Sequence, residues 1–343
     1  MKKVLSAIGI AALVATAFVA APAQAATKLK IAHIPKLGTI GYFQAADKGV
    51  QRACAELKAT CAYKGPTEIT AAAQVKEINA AVQGGYNVLI VAANDKDALV
   101  PALKAAMKKG VTVVTYDSDV AKEGRSVFIN QASSEGVGNA LAKSAADIAG
   151  GKGDIAILST TADATNQNVW IEFMKKELAA KYPDVKVVAT VYGLDKPEES
   201  TTETQGLIQK YPNLKAIVAP TSVGIVAAAK YVSGSTSKGK VFVTGLGLPN
   251  DMKAYIKDGS GAQASAWDVE NFGYVAVMVA NSIKNLKQKV TVGSVVKSAK
   301  GDSGLTSRTV TEQKTAAGVV TGNEIILGPA IVFTKETVDK YNF

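Results

Sequence analysis

Short, almost continuously apolar runs recur along this chain, and a helical stretch separates each from the next. From Lys28 onward the runs are Leu29–Ile34, Val88–Ala92, Val111–Tyr116, Ile155–Ser159, Val185–Val191, Ala216–Ala219, Val241–Gly245 and a weaker Ala262–Trp267. Strands that alternate apolar and polar residues face water on one side. Strands without alternation are covered on both faces, as in a parallel sheet flanked by helices. The stretches between carry amphipathic helices with readable ends, one from about Thr67-Glu68 to Gly84-Gly85 and another from about Asp95–Asp97 to Gly110. Repeated βα units of this kind predict an α/β fold with doubly wound, Rossmann-like sheets. After Phe272 the rhythm breaks. A helix to Leu286 is followed by a Lys-, Ser-, Thr- and Gly-rich segment and then by short strands. Two lobes with a late return of chain between them explain that order.

Residues 1–25 have a separate purpose. Lys2 and Lys3 precede an apolar run from Val4 to about Ala21, and Ala23-Gln24-Ala25 supplies small residues for cleavage before Ala26. This is the pattern of a secretory signal peptide, and it predicts export to the periplasm. Its removal leaves 318 of the 343 residues, more than the ~250–300 at which a single core stops growing, so two domains are expected. Cys54 and Cys61 form a disulfide in that compartment or remain a buried, reduced pair; spacing alone leaves both open. One His and two Cys cannot furnish a three-histidine or all-cysteine zinc site or an iron–sulfur cluster. No metal ligand, cofactor or catalytic residue is assigned.

The formal charge is +10, yet only Arg52, Arg125 and Arg308 among the 39 basic residues are arginines. Base readout leans on the planar guanidinium fork, so a nucleic-acid partner is not expected. Two of the charges leave with the signal peptide. The span Lys284–Lys314 holds seven basic and two acidic residues, a solvated face or a patch toward membrane lipid or a partner protein. Three motif near-matches are set aside. The stretch from Gly234 to Gly239-Lys240 has P-loop spacing, but Val241 replaces the hydroxyl residue and the segment runs from helix into strand. Gly245-Leu246-Gly247 lacks the third glycine of a dinucleotide fingerprint and reads as an ordinary βα turn. Gly301-Asp302-Ser303-Gly304 has no histidine base within reach, since His33 lies inside a buried strand as a satisfied interior residue.

In doubly wound sheets, ligands bind beyond the carboxyl ends of the strands. Polar and aromatic residues collect there: Lys36, then Tyr42-Phe43; Thr115-Tyr116-Asp117-Ser118-Asp119; Thr165-Asn166-Gln167-Asn168 with Trp170; Pro220-Thr221-Ser222; and Trp267-Asp268. Each has a structural alternative, with Asp117 as a turn residue, Asn166 as a helix N-cap, and Phe43 and Trp267 as core. Together they suit a small polyol, because hydroxyls both donate and accept while aromatic walls cover the C–H face. An exported carbohydrate-active enzyme is the rival reading; it needs an acid/base pair, for which Asp117 and Asp268 are the candidates.

The segments IAHIPKLGTIGYF, YKGPTE, ANDKDALVPALK, TYDSD, ATNQNVW, IVAPTSVG, VTGLGLPNDM and DKYNF resemble periplasmic substrate-binding proteins of ABC importers, in the branch of the rhamnose-binding and autoinducer-2-binding proteins. The resemblance implies a non-enzymatic, monomeric binding protein of two lobes and a three-segment hinge. Such a protein closes on one ligand and delivers it to a permease in the inner membrane. It implies an N-terminal lobe of 26–131 plus about 268–305 and a C-terminal lobe of 132–267 plus about 306–343. Crossings are expected near Asn130–Ser133, Ser265–Val269 and about Asp302–Val310. Carried over residue by residue, the ligand-binding set is Lys36, Phe43, Asp117, Asn166, Gln167, Pro220, Ser222 and Trp267. The autoinducer-2 proteins have Asp-Gln where this chain has Asn166-Gln167. That loss of a carboxylate favours rhamnose or a related deoxy-sugar over autoinducer-2.

Overall fold

The computed structural model describes residues 28–297 and 307–343. The expected signal peptide and the Gly301–Gly304 motif lie outside them. The first lobe begins with β1 (Lys30–Ile34), α1 (Gly41–Glu56), β2 (Thr60–Tyr63), α2 (Ala71–Gln83) and β3 (Val88–Val91). It continues through α3 (Val100–Lys108), β4 (Thr112–Tyr116) and β5 (Val127–Asn130). The second lobe holds α4 (Ser134–Ala149), β6 (Gly153–Ser159), α5 (Thr165–Lys181), β7 (Val185–Tyr192) and α6 (Pro197–Lys210). It then runs through β8 (Leu214–Ala219), α7 (Ser222–Ser233), β9 (Phe242–Leu246), α8 (Pro249–Asp258) and β10 (Gly261–Ala266). The return comprises α9 (Val269–Lys284), β11 (Val295–Lys297), β12 (Ser307–Thr309), β13 (Thr311–Lys314), β14 (Val320–Ile326) and β15 (Ile331–Phe333).

Strands β1 to β5, with β13 and β14, form one sheet in the order β13-β14-β5-β4-β3-β1-β2. The second sheet is ordered β15-β10-β9-β8-β6-β7. All pairings within the first five strands, and within β6 to β10, are parallel. The absence of alternation in the sequence has its cause here. On β3, Val88 and Ile90 belong to one apolar cluster with residues of α1 and α9, whereas Leu89 and Val91 belong to a second with Ile78 of α2 and Leu103 of α3. Both faces of the strand are therefore apolar.

The return of the chain is fixed by a backbone-to-backbone contact. A Cβ placed on Gly49 of α1 would overlap the Glu270 carbonyl, and one on Gly273 of α9 would overlap the Ala46 carbonyl. Two glycines facing each other thus let α9 lie directly on α1 and rejoin the first lobe. Cys54 at the end of α1 is disulfide-bonded to Cys61 of β2, with Cα atoms 6.3 Å apart. The buried His33 is satisfied, its Nδ1 2.8 Å from Asp47 Oδ1 and its Nε2 2.7 Å from the Tyr116 hydroxyl. Because a carboxylate only accepts, Nδ1 carries a proton and donates it to the Asp47 bond.

Several expectations need correction. Helix α2 starts at Ala71, later than Thr67-Glu68, because Thr70 is its cap and accepts from Ala73 N at 3.2 Å. Helix α3 starts at Val100, because the Asp95 carboxylate binds the backbone N–H groups of Asp97 and Ala98 and holds a turn there. The larger revision concerns the C-terminal stretch. Residues 311–326 join the first sheet, not the second lobe, since β14 pairs in parallel with β5 through Glu324↔Phe128 to Ile326↔Asn130. Side chains reinforce this pairing: Arg125 donates to Asn323, and Asn130 Nδ2 donates to Glu324 Oε2 at 2.7 Å. The chain passes between lobes at 131–133, 267–268 and 327–330, so the third crossing falls after β14 and not near Asp302–Val310. Among the described residues, no helix is long and apolar enough to cross a membrane.

Two predictions follow from this frame. Gly273→Ala forces α9 off α1, and overpacking of this kind costs about 1–3 kcal/mol, to be read as a lower urea midpoint at unchanged slope. The second concerns Glu324, buried between the first and third crossings. Burial pushes its carboxyl up to about 7 from 4.5, against the pull of the Asn130 bond. Between those values the folded chain keeps the proton that the unfolded chain releases. Stability therefore falls as pH rises through that window, by up to about 3 kcal/mol, and levels off above it. Glu324→Gln keeps the acceptor and removes the charge. Its melting temperature is expected to match wild type near pH 4.5 and exceed it at pH 8; equality at pH 8 would contradict the assignment.

Candidate binding site

The carboxyl ends of the parallel strands in both sheets face one another across the cleft. Lys36 follows β1, and Tyr42 and Phe43 lie in the first turn of α1. Asp117 follows β4, and Asn166, Gln167 and Trp170 open α5. Pro220 to Ser222 join β8 to α7, and Trp267 sits in the second crossing. Together they line one cavity. All eight residues singled out from the sequence are among its walls. Lys36, Phe43, Asp117, Asn166, Gln167 and Trp267 are buried, and Ser222 is half-buried.

A chain of hydrogen bonds runs through these groups and crosses the cleft. Trp267 Nε1 donates to the Tyr42 hydroxyl at 2.8 Å, and that hydroxyl donates to Asp117 Oδ1 at 3.0 Å. Asn166 Nδ2 reaches Asp117 Oδ2 at 3.3 Å and the Asp117 carbonyl at 3.2 Å. Lys36 Nζ donates to Asn166 Oδ1 at 2.9 Å and to Gln167 Oε1 at 3.4 Å. Asn166 is thus a bridge in the first turn of α5, not its N-cap. Asp117 adopts a left-handed backbone, φ 61°, in a tight turn closed by Ser118 N on the Tyr116 carbonyl at 2.6 Å. Strain of this kind is tolerated where the surroundings hold it, and it aims the carboxylate into the cleft.

Burial dominates the titration of this cluster. It pushes the Asp117 carboxyl up, while Lys36, the Tyr42 hydroxyl and Asn166 pull it back. It pushes the Lys36 ammonium down, while Asp117, Asp195 and Asp163 pull it up. The Tyr42 phenol lies well above its ordinary value, through burial and the adjacent Asp117, and stays a proton donor. Asp117, Asn166 and Trp170 also border a wider opening between the lobes, toward Asp119, Asn130 and Gln313. Asp119 is occupied structurally, paired with the Arg125 guanidinium at 2.7 Å.

Sequence reasoning missed Asp195, Ile40 and the Leu246–Leu248 turn, which complete the walls. Asp195 follows the end of β7, so the strand-end rule that found the other residues reaches it when applied to Val185–Val191. The Gly245-Leu246-Gly247 turn is an ordinary βα turn whose residues face the cavity. Asp268, a candidate member of an acid/base pair, caps α9 by accepting from Asn271 N at 3.0 Å and Nδ2 at 2.6 Å. It does not line the cavity. Among the described residues, no group of three or more His, Cys, Asp or Glu side chains is placed to hold a metal ion.

The sequence profile of the periplasmic binding protein domain matches residues 31–288. The chain belongs to this family. The solved structure of an ABC transporter solute binding protein from Clostridium phytofermentas, with bound L-rhamnose, is 34% identical. It aligns with a TM-score of 0.85 over 92% of this chain and 100% of that one. LsrB from Clostridium saccharobutylicum in complex with AI-2 is 26% identical, with a TM-score of 0.83 over 92% of this chain and 100% of its own. A D-ribose/D-allose-binding protein of Pseudomonas aeruginosa is 25% identical over 201 residues, 56% of this chain and 61% of that protein's length. The fold is the two-lobed type I arrangement of periplasmic binding proteins, and the relatives are binding proteins, not enzymes.

Both tryptophans of this periplasmic binding protein, Trp170 and Trp267, line the cavity, with ring centroids 6.2 Å apart. Occupancy of the cavity is therefore expected to change intrinsic tryptophan emission, and Trp267→Phe to remove much of the change. A compound that binds by calorimetry yet leaves emission unaltered occupies another place.

Proposed function

We propose that this protein is the solute-capturing component of an ABC importer, exported by its N-terminal segment and acting as a monomer in the periplasm. It closes its lobes on one neutral monosaccharide, L-rhamnose or a related deoxy-sugar, and a permease in the inner membrane reads the closed shape. The observation that carries this reading is the cross-cleft set Lys36–Asn166–Asp117, which contributes acceptors and donors from both lobes to one aromatic-walled cavity. Hydroxyls suit such a set because each both donates and accepts. Phe43 and Trp267 supply walls for the C–H face, Gln167 and Ser222 supply further polar contacts, and Pro220 shapes the turn. Ligand bonds to both lobes stabilise the closed state over the open one, which is all that hinge closure requires.

The deoxy-sugar preference rests on Asn166. An amide beside Lys36 offers one neutral acceptor where a carboxylate offers a charged one, so a ligand richer in hydroxyls loses more than one with a methyl group. Ile40, Leu246 and Leu248 in the wall favour that methyl by about 0.8 kcal/mol per buried carbon. The L-rhamnose-bound relative supports the same choice. Autoinducer-2 is the second reading, supported by Asp117, Trp267 and the AI-2-bound neighbour.

Calorimetric titration with L-rhamnose, autoinducer-2, D-ribose and L-arabinose tests both. The expected result is one site per chain with L-rhamnose tightest; silence toward all four, or turnover of any, overturns the proposal. Asp117→Ala removes charge-assisted hydrogen bonds worth about 1.5–3 kcal/mol each, so affinity is expected to drop by at least about 10-fold while the melting curve stays cooperative.

A further inference from the structure

A second carboxylate faces the cavity from the other lobe. Asp195 lines it together with Lys36 and Asp117, and its placement is costly. Leu194 and Asp195 both adopt left-handed backbone, φ 55° and 49°, a conformation an aspartate tolerates but a leucine resists. Main-chain bonds hold the turn: Gly193 N to the Ser159 carbonyl at 2.9 Å, Leu194 N to the Thr160 carbonyl at 2.8 Å, and Lys196 N to the Gly193 carbonyl at 2.9 Å. A Cβ on Gly193 would overlap Ser200, so the turn sits tightly against α6. The Thr221 hydroxyl, whose oxygen also caps α7, donates to Asp195 Oδ1 at 2.6 Å. No described residue donates to Oδ2. A strained, anchored, half-buried carboxylate with one oxygen open at the cavity wall is placed to accept from a ligand.

The electrostatics point the same way. Lys36 is the single cation of the lining, against the carboxylates of Asp117 and Asp195. Burial pushes the Asp195 carboxyl up, while the Thr221 bond and Lys36 pull it back. We propose that Asp195 is a specificity-determining residue: its free oxygen accepts a ligand hydroxyl on the second-lobe side and, with Asp117, excludes sugar acids and sugar phosphates. The proposal rests on the cavity being a monosaccharide site and adds to that reading the charge class of its ligand. Carboxylate-to-hydroxyl bonds are charge-assisted and strong, whereas a ligand carboxylate meeting the pair is repelled at short range in a poorly screened site.

The test titrates wild type, Asp195→Asn and Asp195→Glu with L-rhamnose and with L-rhamnonate, its aldonate, while melting curves report folding. Wild type is expected to bind the neutral sugar at least about 100-fold more tightly than the acid. Asp195→Asn is expected to lose about 10-fold or more for the sugar and to narrow the gap to the acid. Asp195→Glu, which keeps the charge, is expected to lose sugar affinity but preserve the exclusion, and it decides the matter if the Asn variant does not fold. Wild-type binding with equal affinity in a folded Asp195→Asn variant overturns the role of Asp195 alone. A wild type that binds the aldonate as well as the sugar overturns the exclusion. A wild type that binds neither overturns the monosaccharide reading and this assignment with it.

Discussion

A buried ammonium needs oxygen atoms around it, because leaving water costs several kcal/mol unless charge and hydrogen bonds replace the lost hydration. Lys36 belongs to the first lobe, and the oxygens that receive its protons, on Asn166 and Gln167, belong to the second. The anionic field that opposes the downward push of burial comes from both, through Asp117 on one side and Asp195 and Asp163 on the other. Closed lobes and a buried Lys36 are therefore one condition. On the proposed reading, parting the lobes returns the ammonium to water as it takes these partners away, so the two effects offset one another. A ligand that bonds to both sides can tip such a balance with a few kcal/mol of differential affinity.

This balance needs a rigid frame on each side and a compliant link between. Two parallel sheets covered by helices give the frames, and each orients its strand ends toward the other lobe. The link is three short crossings, held at the first-lobe side by the α1–α9 glycine contact and by β14 on the edge of β5. The first and third crossings leave adjacent strands, and the Asn130–Glu324 bond ties them where they leave. On the proposed reading, the lobes pivot about this compact bundle of backbone and do not slide along the sheets.

How much of this was legible in the sequence depended on whether burial was total. Runs such as Val88–Ala92 and Val111–Tyr116 announce themselves because both faces are dry. Their ends led directly to Lys36, Asp117, Asn166, Gln167 and Trp267, which the fold brings to one cavity. By contrast, β13 reads Thr-Glu-Gln-Lys, an edge strand with almost no apolar residue, and only its pairing with β14 reveals its sheet. For that reason the sequence pattern does not mark the lobe boundary near the C-terminus. Glu324 looks like a surface residue in sequence but is buried by Asn130 and by strand neighbours far away along the chain. Strand β7 is half-buried along most of its length, so its end points less clearly to a buried site, and Asp195 carries no stronger signal of its own. The Cys54–Cys61 bridge needed a distance that spacing does not contain.

Lys36, Asn166 and Asp117 satisfy one another across the cavity, and this shapes what they select. Asn166 donates to Asp117 and accepts from Lys36, so an incoming group must offer Asp117 a proton and Lys36 a lone pair before that bridge can loosen. A hydroxyl does both at once, and a vicinal pair does so for two residues. Hydrogen bonds are then exchanged, not lost, and their net contribution to affinity is modest. On the proposed reading, net gain comes from the apolar face of the ligand meeting Phe43 and Trp267 and from the oxygen of Asp195 that no described residue donates to. An anionic sugar brings acceptors where the cavity already has an excess. A purely apolar molecule brings no donors and would leave Lys36 and two carboxylates unpaired at a cost well above its own burial. On the proposed reading, Lys36, Asp117 and Asp195 together reject both classes and leave neutral polyols as the ligands that satisfy all three.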